Sequence, residues 1–354
     1  MLKVNAQSGT VRVVIVDDTR TIRAMIRLML EANPRIEVVG EAGDPYEARE
    51  VIRALNPDVI TLDIAMPRMD GLSFLEKLMR LRPMPVVMVS SRTTANSQEA
   101  IRALSLGAVE CVDLGQLQKS QNADALAQIV LMAGDSNPVG LTRKPDTIEP
   151  AHPSTVHDWN RKVVLIGSST GGVDALLQVL SAIPYDGPPI VIAQHMPPTF
   201  LESFAARLSR YSPAQVALTT HGATLRPGCV YVGAGGDNHA VLSKTNPYQV
   251  RHVPHDGSEP YVPSVNLLFS SGVQHAKRVV GVMLTGMGND GARAMLQMRE
   301  CGAHTIVQDS ASAVIDGMPK SARELGAAVE VASLGQIARR ILISTSKSAQ
   351  EGAT

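Results

Sequence analysis

The chain has 354 residues, 44% of them apolar and 19% charged, with 28 Gly and 22 Pro. That is longer than one hydrophobic core usually organises, so two globular domains with some linker are expected, and collagenous, coiled-coil and disordered classes are excluded. Lys+Arg and Asp+Glu number 33 each, which leaves no net field to gather nucleic acid or an anionic membrane and favours small or protein partners.

The lead into Val11 shows no basic n-region and no small-residue cleavage pattern. The first 115 residues alternate short Val- and Ile-rich runs with helical spacing, the pattern of βαβ units on a parallel sheet. Strands are predicted at 12–16, 37–41, 59–62, 86–90 and 110–112, with amphipathic helices over 20–32 and 71–82. A helix is predicted over 123–132, followed by a polar stretch with Pro138, Pro145, Pro150 and Pro153, which reads as a linker. A second α/β region opens at Lys162, with strands predicted at 163–167, 190–194, 230–232, 279–284 and 305–307 and an apolar helical run over 173–183. The tail after about Ser344 is small and polar. Cys111, Cys229 and Cys301 are odd in number and lack Cys-x-x-Cys spacing, and no run reaches the roughly 18 apolar residues of a membrane span. A reducing, cytoplasmic setting without membrane insertion is the expectation.

Two sets of strand ends carry chemistry. Asp17 and Asp18 close the first strand and Asp63 the third; in a parallel sheet these ends open onto one crevice at the topological switch point. Converging carboxylates repel unless a cation screens them, and Mg²⁺ is the usual ion of an oxygen-only, partly hydrated site. A nucleophilic carboxylate beside Mg²⁺ is what phosphoryl transfer to Asp63 requires, with the Ser90 hydroxyl at the fourth strand end placed to bond the phosphoryl oxygens. A lone acid at a strand end is more often a helix cap; three acids and a hydroxyl at successive ends are not explained that way.

In the second region, Gly167, Ser169 and Gly171 satisfy Gly-x-Ser-x-Gly between a strand and a helix, the elbow that presents a nucleophilic serine beside a helix N-terminus able to stabilise an oxyanion. A dinucleotide loop is the competing reading. Ser169 occupies its second glycine position, and the next strand ends in Gln194-His195 rather than an acid for the ribose. His195 arrives at the same crevice as Ser169, and Asp290, in Thr-Gly-Met-Gly-Asn-Asp-Gly after the strand at 279–284, completes a Ser, His, Asp set. A nucleotide-dependent oxidoreductase and a hydrolase-like domain used only for binding are the rival classes. His252 and His255 lack an acidic or Cys partner at ligand spacing and do not suggest a metal.

Val-Asp-Asp (16–18), Asp-Ile-Ala-Met-Pro-Arg-Met-Asp-Gly (63–71), Val-Ser-Ser (89–91) and Gly-Ala-Val-Glu (107–110) resemble the response-regulator receiver domain. Leu114-Gly115 stands where receivers carry Lys-Pro, and Cys111 where they carry an aromatic. Ile-Gly-Ser-Ser-Thr-Gly-Gly (166–172), Gln-His-Met-Pro (194–197), Pro-Ser-Val-Asn-Leu-Leu-Phe (263–269), Leu-Thr-Gly-Met-Gly-Asn-Asp-Gly (284–291) and Gly-Met-Pro-Lys (317–320) look like the chemotaxis protein-glutamate methylesterase family. Asn266 stands where Asp is expected and Asp316 where an aromatic is usual.

The resemblance implies two doubly wound α/β domains, a flavodoxin-like receiver at 10–120 and a Rossmann-like methylesterase at 160–345, with a linker at 121–159 and a flexible tail at 346–354. By position it implies Ser169 as nucleophile, His195 as base and Asp290 as its orienting acid, with Thr170 and the Met287 backbone N–H supporting the oxyanion. It implies Mg²⁺ at Asp17, Asp18 and Asp63, phosphorylation of Asp63 by a chemotaxis histidine kinase, and no cofactor in the esterase. The implied substrates are γ-glutamyl methyl esters, and glutamines to be deamidated, on methyl-accepting chemotaxis receptors, with the unphosphorylated receiver restraining the esterase.

Overall fold

The computed structural model describes residues 9–90, 97–115, 124–136 and 157–347. The chain divides into two compact units, 1–142 and 143–354.

The first unit carries five strands, β1 (Val11–Val16), β2 (Ile36–Ala42), β3 (Val59–Asp63), β4 (Val86–Ser90) and β5 (Glu110–Asp113), all parallel in the order β2-β1-β3-β4-β5. Val13, Val14, Ile15, Ile60, Leu62, Val87 and Met88 are fully buried, as continuous apolar runs must be in a sheet covered on both faces. The covering helices are α1 (Arg20–Glu31), α2 (Pro45–Leu55), α3 (Gly71–Leu81), α4 (Ser97–Ser105) and α5 (Ala125–Gly134). Asp44 starts α2 by accepting the N–H groups of Tyr46 and Glu47, with Pro45 at the first helical position, and Asn56 ends it in a left-handed conformation. Helix α5 packs on α1 and on β3, β4 and β5. The first unit's packing thus runs past residue 120, where the sequence suggests a linker beginning, because the Ala-Leu-Ala-Gln-Ile-Val-Leu-Met run supplies an apolar face for the sheet. The Pro-rich stretch at 138–153 lies outside the described residues.

The second unit holds seven parallel strands in the order β14-β13-β12-β6-β7-β9-β8. They are β6 (Val163–Ser168), β7 (Ile190–Gln194), β8 (Gln215–Leu218), β9 (Cys229–Val232), β12 (Val279–Met283), β13 (His304–Gln308) and β14 (Glu330–Ala332). The chain leaves β6 toward β7 and later returns to β12 on its other side, so the switch point lies between β6 and β12. A separate antiparallel hairpin joins β10 (Asn238–Leu242) to β11 (Val250–Pro254). The helices are α6 (Gly172–Ser181), α7 (Pro198–Tyr211), α8 (Val265–Val273), α9 (Ala292–Glu300), α10 (Met318–Glu324) and α11 (Leu334–Ser344).

The edge strands β8 and β14 and the hairpin carry no long apolar run and were not expected from periodicity. Both ends of this unit are tied together. Trp159 bridges Ser346, the Asn160 side-chain amide donates to the carbonyls of Ser344 and Ser346, and Lys347 N–H donates to the Asp158 carbonyl. The folded second unit therefore reaches slightly beyond both 160 and 345; the rest of the tail, 348–354, lies outside the described residues.

Candidate active site

At the carboxyl edge of the first sheet, Asp17 and Asp63 are buried, with 4% and 7% exposure. Burial pushes the Asp17 carboxyl up to about 6 against the pull of the Thr19 N–H, and the negative charges of Asp63 and Asp18 add to the rise. Asp18 is exposed, its carboxylate accepting the Thr19 hydroxyl at 3.1 Å. Among the described residues no three His, Cys, Asp or Glu side chains stand together as a ready metal cluster. The charges of both Asp63 and Asp18 thus bear on Asp17, and Arg23 pulls its carboxyl the other way. Neighbouring carboxylates that raise one another fit Mg²⁺, which keeps several waters and takes one or two carboxylates.

Gly71 fixes the backbone beside Asp63: its N–H donates to the Ile64 carbonyl at 2.9 Å, and a Cβ there would lie 2.0 Å from the Asp63 carbonyl oxygen. Ser90 ends β4 opposite Asp113, but its side chain lies outside the described residues. Leu114 is buried at 2% exposure, so this position is part of the packing and offers no donor. The Cys111 thiol donates to the Ala100 carbonyl of α4 at 3.5 Å, and burial pushes it well above the usual thiol range.

At the second switch point three side chains meet. His195 Nδ1 lies 3.2 Å from Ser169 Oγ, and His195 Nε2 lies 2.7 Å from Asp290 Oδ2. A carboxylate accepts, so Nε2 carries the proton and Nδ1 presents its lone pair to the serine hydroxyl. Ser169 is half-buried, Asp290 is 8% exposed and the His195 side chain 9%.

Each group is held by its element. Ser169 follows β6 directly, its N–H donating to the Thr285 carbonyl at 3.0 Å. Gly171 precedes α6 at φ +77, a left-handed conformation in which a Cβ would also press on Val314. Asp290 lies at the N-terminus of α8, accepting the Val265 N–H at 2.8 Å and the Asn266 N–H at 2.9 Å. Those donors have no partner inside the helix, so one carboxylate caps α8 and orients His195 together. Thr285 is fully buried and donates to the Thr170 and Ile315 carbonyls, fastening the β12 loop to the elbow. Thr170 is buried and Met287 is 41% exposed on the turn beside Gly286. A Cβ on Gly286 would lie 2.8 Å from Ser169 Cβ, so the turn passes directly against the serine.

Three further residues were not singled out from sequence. Gln194 accepts the Ser168 hydroxyl at 2.6 Å and donates to the carbonyls of Ser169 and His195 at 2.8 and 3.0 Å, bracing the two strand ends. Tyr261 stacks on the His195 ring. Glu259 accepts from Ser264 Oγ and Asn266 Nδ2. The Pro-Ser pair before an apolar run does signal the α8 start, but nothing in spacing indicates which acid caps it. His252 bonds Thr219, and His255 bonds His239.

The family description CheB methylesterase matches residues 164–341, and the response regulator receiver domain matches 13–130. The chain is 48% identical over 336 residues to a protein-glutamate methylesterase/protein-glutamine glutaminase 1 of Caulobacter vibrioides, covering 94% of this chain and 97% of that one. It is 45% identical to the protein of the same activity name from Agrobacterium fabrum, covering 95% and 97%. It is also similar to the crystal structure of the Thermotoga maritima CheB methylesterase catalytic domain, at 34% identity and TM-score 0.48, covering 51% of this chain and 97% of that one. With its seven-stranded sheet, its five-stranded receiver sheet and relatives matching nearly end to end, the chain belongs to the CheB methylesterase family, in the form that carries a response regulator receiver domain.

Proposed function

We propose that this protein is a phosphorylation-regulated serine esterase that hydrolyses γ-glutamyl methyl esters, and deamidates glutamines, on bacterial chemoreceptors in the cytoplasm. The observation that carries the reading is the continuous chain Ser169 Oγ, His195 Nδ1, His195 Nε2, Asp290 Oδ2, linked at 3.2 and 2.7 Å.

Ser169 Oγ attacks the ester carbonyl carbon while its proton passes to His195 Nδ1. The Asp290 carboxylate stabilises the imidazolium that forms and keeps the ring in its productive tautomer. The developing oxyanion is held by backbone N–H groups at the start of α6, beside Thr170, and by the Met287 N–H. His195 returns the proton to the departing methoxide, giving methanol and a glutamyl ester on Ser169. A water deprotonated at the same nitrogen then releases glutamate and restores the serine. With a glutamine substrate the first leaving group is ammonia.

In the receiver, Asp63 accepts a phosphoryl group from a histidine kinase. Mg²⁺ held by Asp17, Asp63 and Asp18, when bound, supplies positive charge to the phosphoryl oxygens. Ser90 bonds those oxygens, and Arg23 is a cation beside the acids, its Nη1 donating to the Asp17 carbonyl at 2.7 Å.

The test is methanol release from methylated receptor membranes by the full-length protein, with and without Mg²⁺ and a small acyl-phosphate donor. The expected result is methanol production that the donor increases in the parent and not in Asp63→Asn. Donor stimulation of equal size in both proteins would contradict the regulatory half of the reading, and absence of methanol under every condition would contradict the enzymatic half.

A further inference from the structure

The Tyr261 ring lies over the His195 imidazole with centroids 4.2 Å apart and planes 15° from parallel. Resting on the reaction just proposed, we infer that Tyr261 is a positioning residue of the triad: its face holds the His195 ring upright and stabilises the charge that ring acquires during attack.

The geometry shows why such a residue is needed. Both hydrogen bonds of His195 are made at the ring edge, to Ser169 and to Asp290. They set where the ring sits in its own plane, but neither resists a tilt about the line joining the two nitrogens. A near-parallel aromatic face resists that tilt. It also shields one side of the imidazole from water, and the His195 side chain is accordingly only 9% exposed while Tyr261 is 41% exposed.

A second effect is electrostatic. During attack the His195 ring takes up the serine proton and with it a positive charge. The π face of an aromatic ring attracts a cation more strongly than a neutral imidazole, so the contact strengthens as the barrier is climbed, and interactions of that kind raise kcat.

Tyr261 is itself braced. It follows Glu259, whose carboxylate accepts from Ser264 Oγ at 3.0 Å and from Asn266 Nδ2 at 2.8 Å. Ser264 caps α8 through the Leu267 N–H, and the Asn266 N–H donates to Asp290 Oδ1. The loop that carries Tyr261 is thereby fastened to the helix end that holds Asp290, so the two partners of His195 share one support. Asn266 at this position supplies the amide donor that Glu259 takes up.

The experiment measures kcat and KM for methanol release from methylated receptor membranes by the full-length parent, Tyr261→Phe, Tyr261→Leu and Ser169→Ala. Leucine leaves a smaller apolar side chain in place and removes the π face. It is expected to lower kcat about three- to tenfold, the size of a partly exposed cation–π contact plus looser orientation, with KM within twofold of the parent. Phenylalanine keeps the face and is expected to retain at least half of the parent kcat. In the same proteins, the His195 ring-proton NMR signals should lose their ring-current shift in Tyr261→Leu and keep it in Tyr261→Phe. Parent-like kcat in Tyr261→Leu, a raised KM with unchanged kcat, or Tyr261→Phe as impaired as Tyr261→Leu would each overturn the inference. An active Ser169→Ala would instead overturn the underlying reaction; an inactive Ser169→Ala beside a parent-like Tyr261→Leu would overturn this inference alone.

Discussion

Gln194 is 2% exposed and satisfies the Ser168 hydroxyl together with two carbonyls, those of Ser169 and His195, so one side chain joins the backbone of Ser169 to that of His195. Leucine there would fill the space and strand the fully buried Ser168 hydroxyl and the His195 carbonyl. Buried groups left without partners cost about 1–3 kcal/mol each, so Gln194→Leu is expected to destabilise the esterase unit by about 2–4 kcal/mol. Trp159 is the only tryptophan and lies in that unit, with its indole N–H donating to the Lys162 carbonyl, so urea unfolding followed by its fluorescence reports this unit. An unchanged midpoint would mean that water replaces the amide. At this scale the meeting of Ser169, His195 and Asp290 was legible in the sequence, because each lies on a segment that leaves the carboxyl end of an apolar strand. Their supports were not. Gln194 and Tyr261 act through contacts between segments far apart in the chain, and no local pattern encodes such contacts.

Among the elements, α6 combines a functional N-terminus with an awkward acid. Asp174 sits in its first turn, half-buried, and burial pushes its carboxyl up to about 6, with Arg207 pulling the other way. A carboxyl that titrates higher in the folded than in the unfolded state keeps its proton longer on folding. Its contribution to stability is present at low pH and is lost as pH rises from about 4 to about 6. Asparagine does not titrate. The melting temperature of Asp174→Asn, relative to the parent, should therefore rise between pH 4.5 and 7.5 in calorimetry of the full chain; a constant difference would show that Asp174 ionises as freely folded as unfolded. The central strands of both sheets were predicted within a residue or two because buried parallel strands are unbroken Val- and Ile-rich runs. Edge strands need no such run: β8 alternates exposed and half-buried residues, and β14 has three residues. The α5 segment looked like the head of a linker because the Pro-rich stretch follows it; what identifies it as receiver structure is the apolar face that β3, β4 and β5 accept.

For the whole molecule, two switch points in one chain bring a pair of buried acids and a Ser-His-Asp set to the carboxyl ends of two parallel sheets. Both convergences follow from topology, with Asp290 carried a further loop beyond the end of β12. The departures at the end of β5 have a structural expression. Leu114 is buried, so a lysine there would have to place its ammonium inside the packing or swing out of it, and Cys111 bonds α4 through a small, neutral thiol. Leu114 therefore offers a phosphoryl group on Asp63 no side-chain donor, and the Asp63→Asn comparison under phosphodonor is the test of the proposed regulation at this scale.

The claim on which all of this depends is that Ser169 is the nucleophile, and methanol release from methylated receptor membranes by full-length Ser169→Ala tests it most directly. The serine is half-buried on its elbow and alanine adds no bulk, so the fold and the Trp159 unfolding midpoint should be retained. The rate should fall by a factor on the order of 10⁶, as when a serine hydrolase loses its nucleophile. Retention of more than about one per cent of the parent rate, in material free of parent enzyme, would contradict the account, since binding and oxyanion support alone sustain far less.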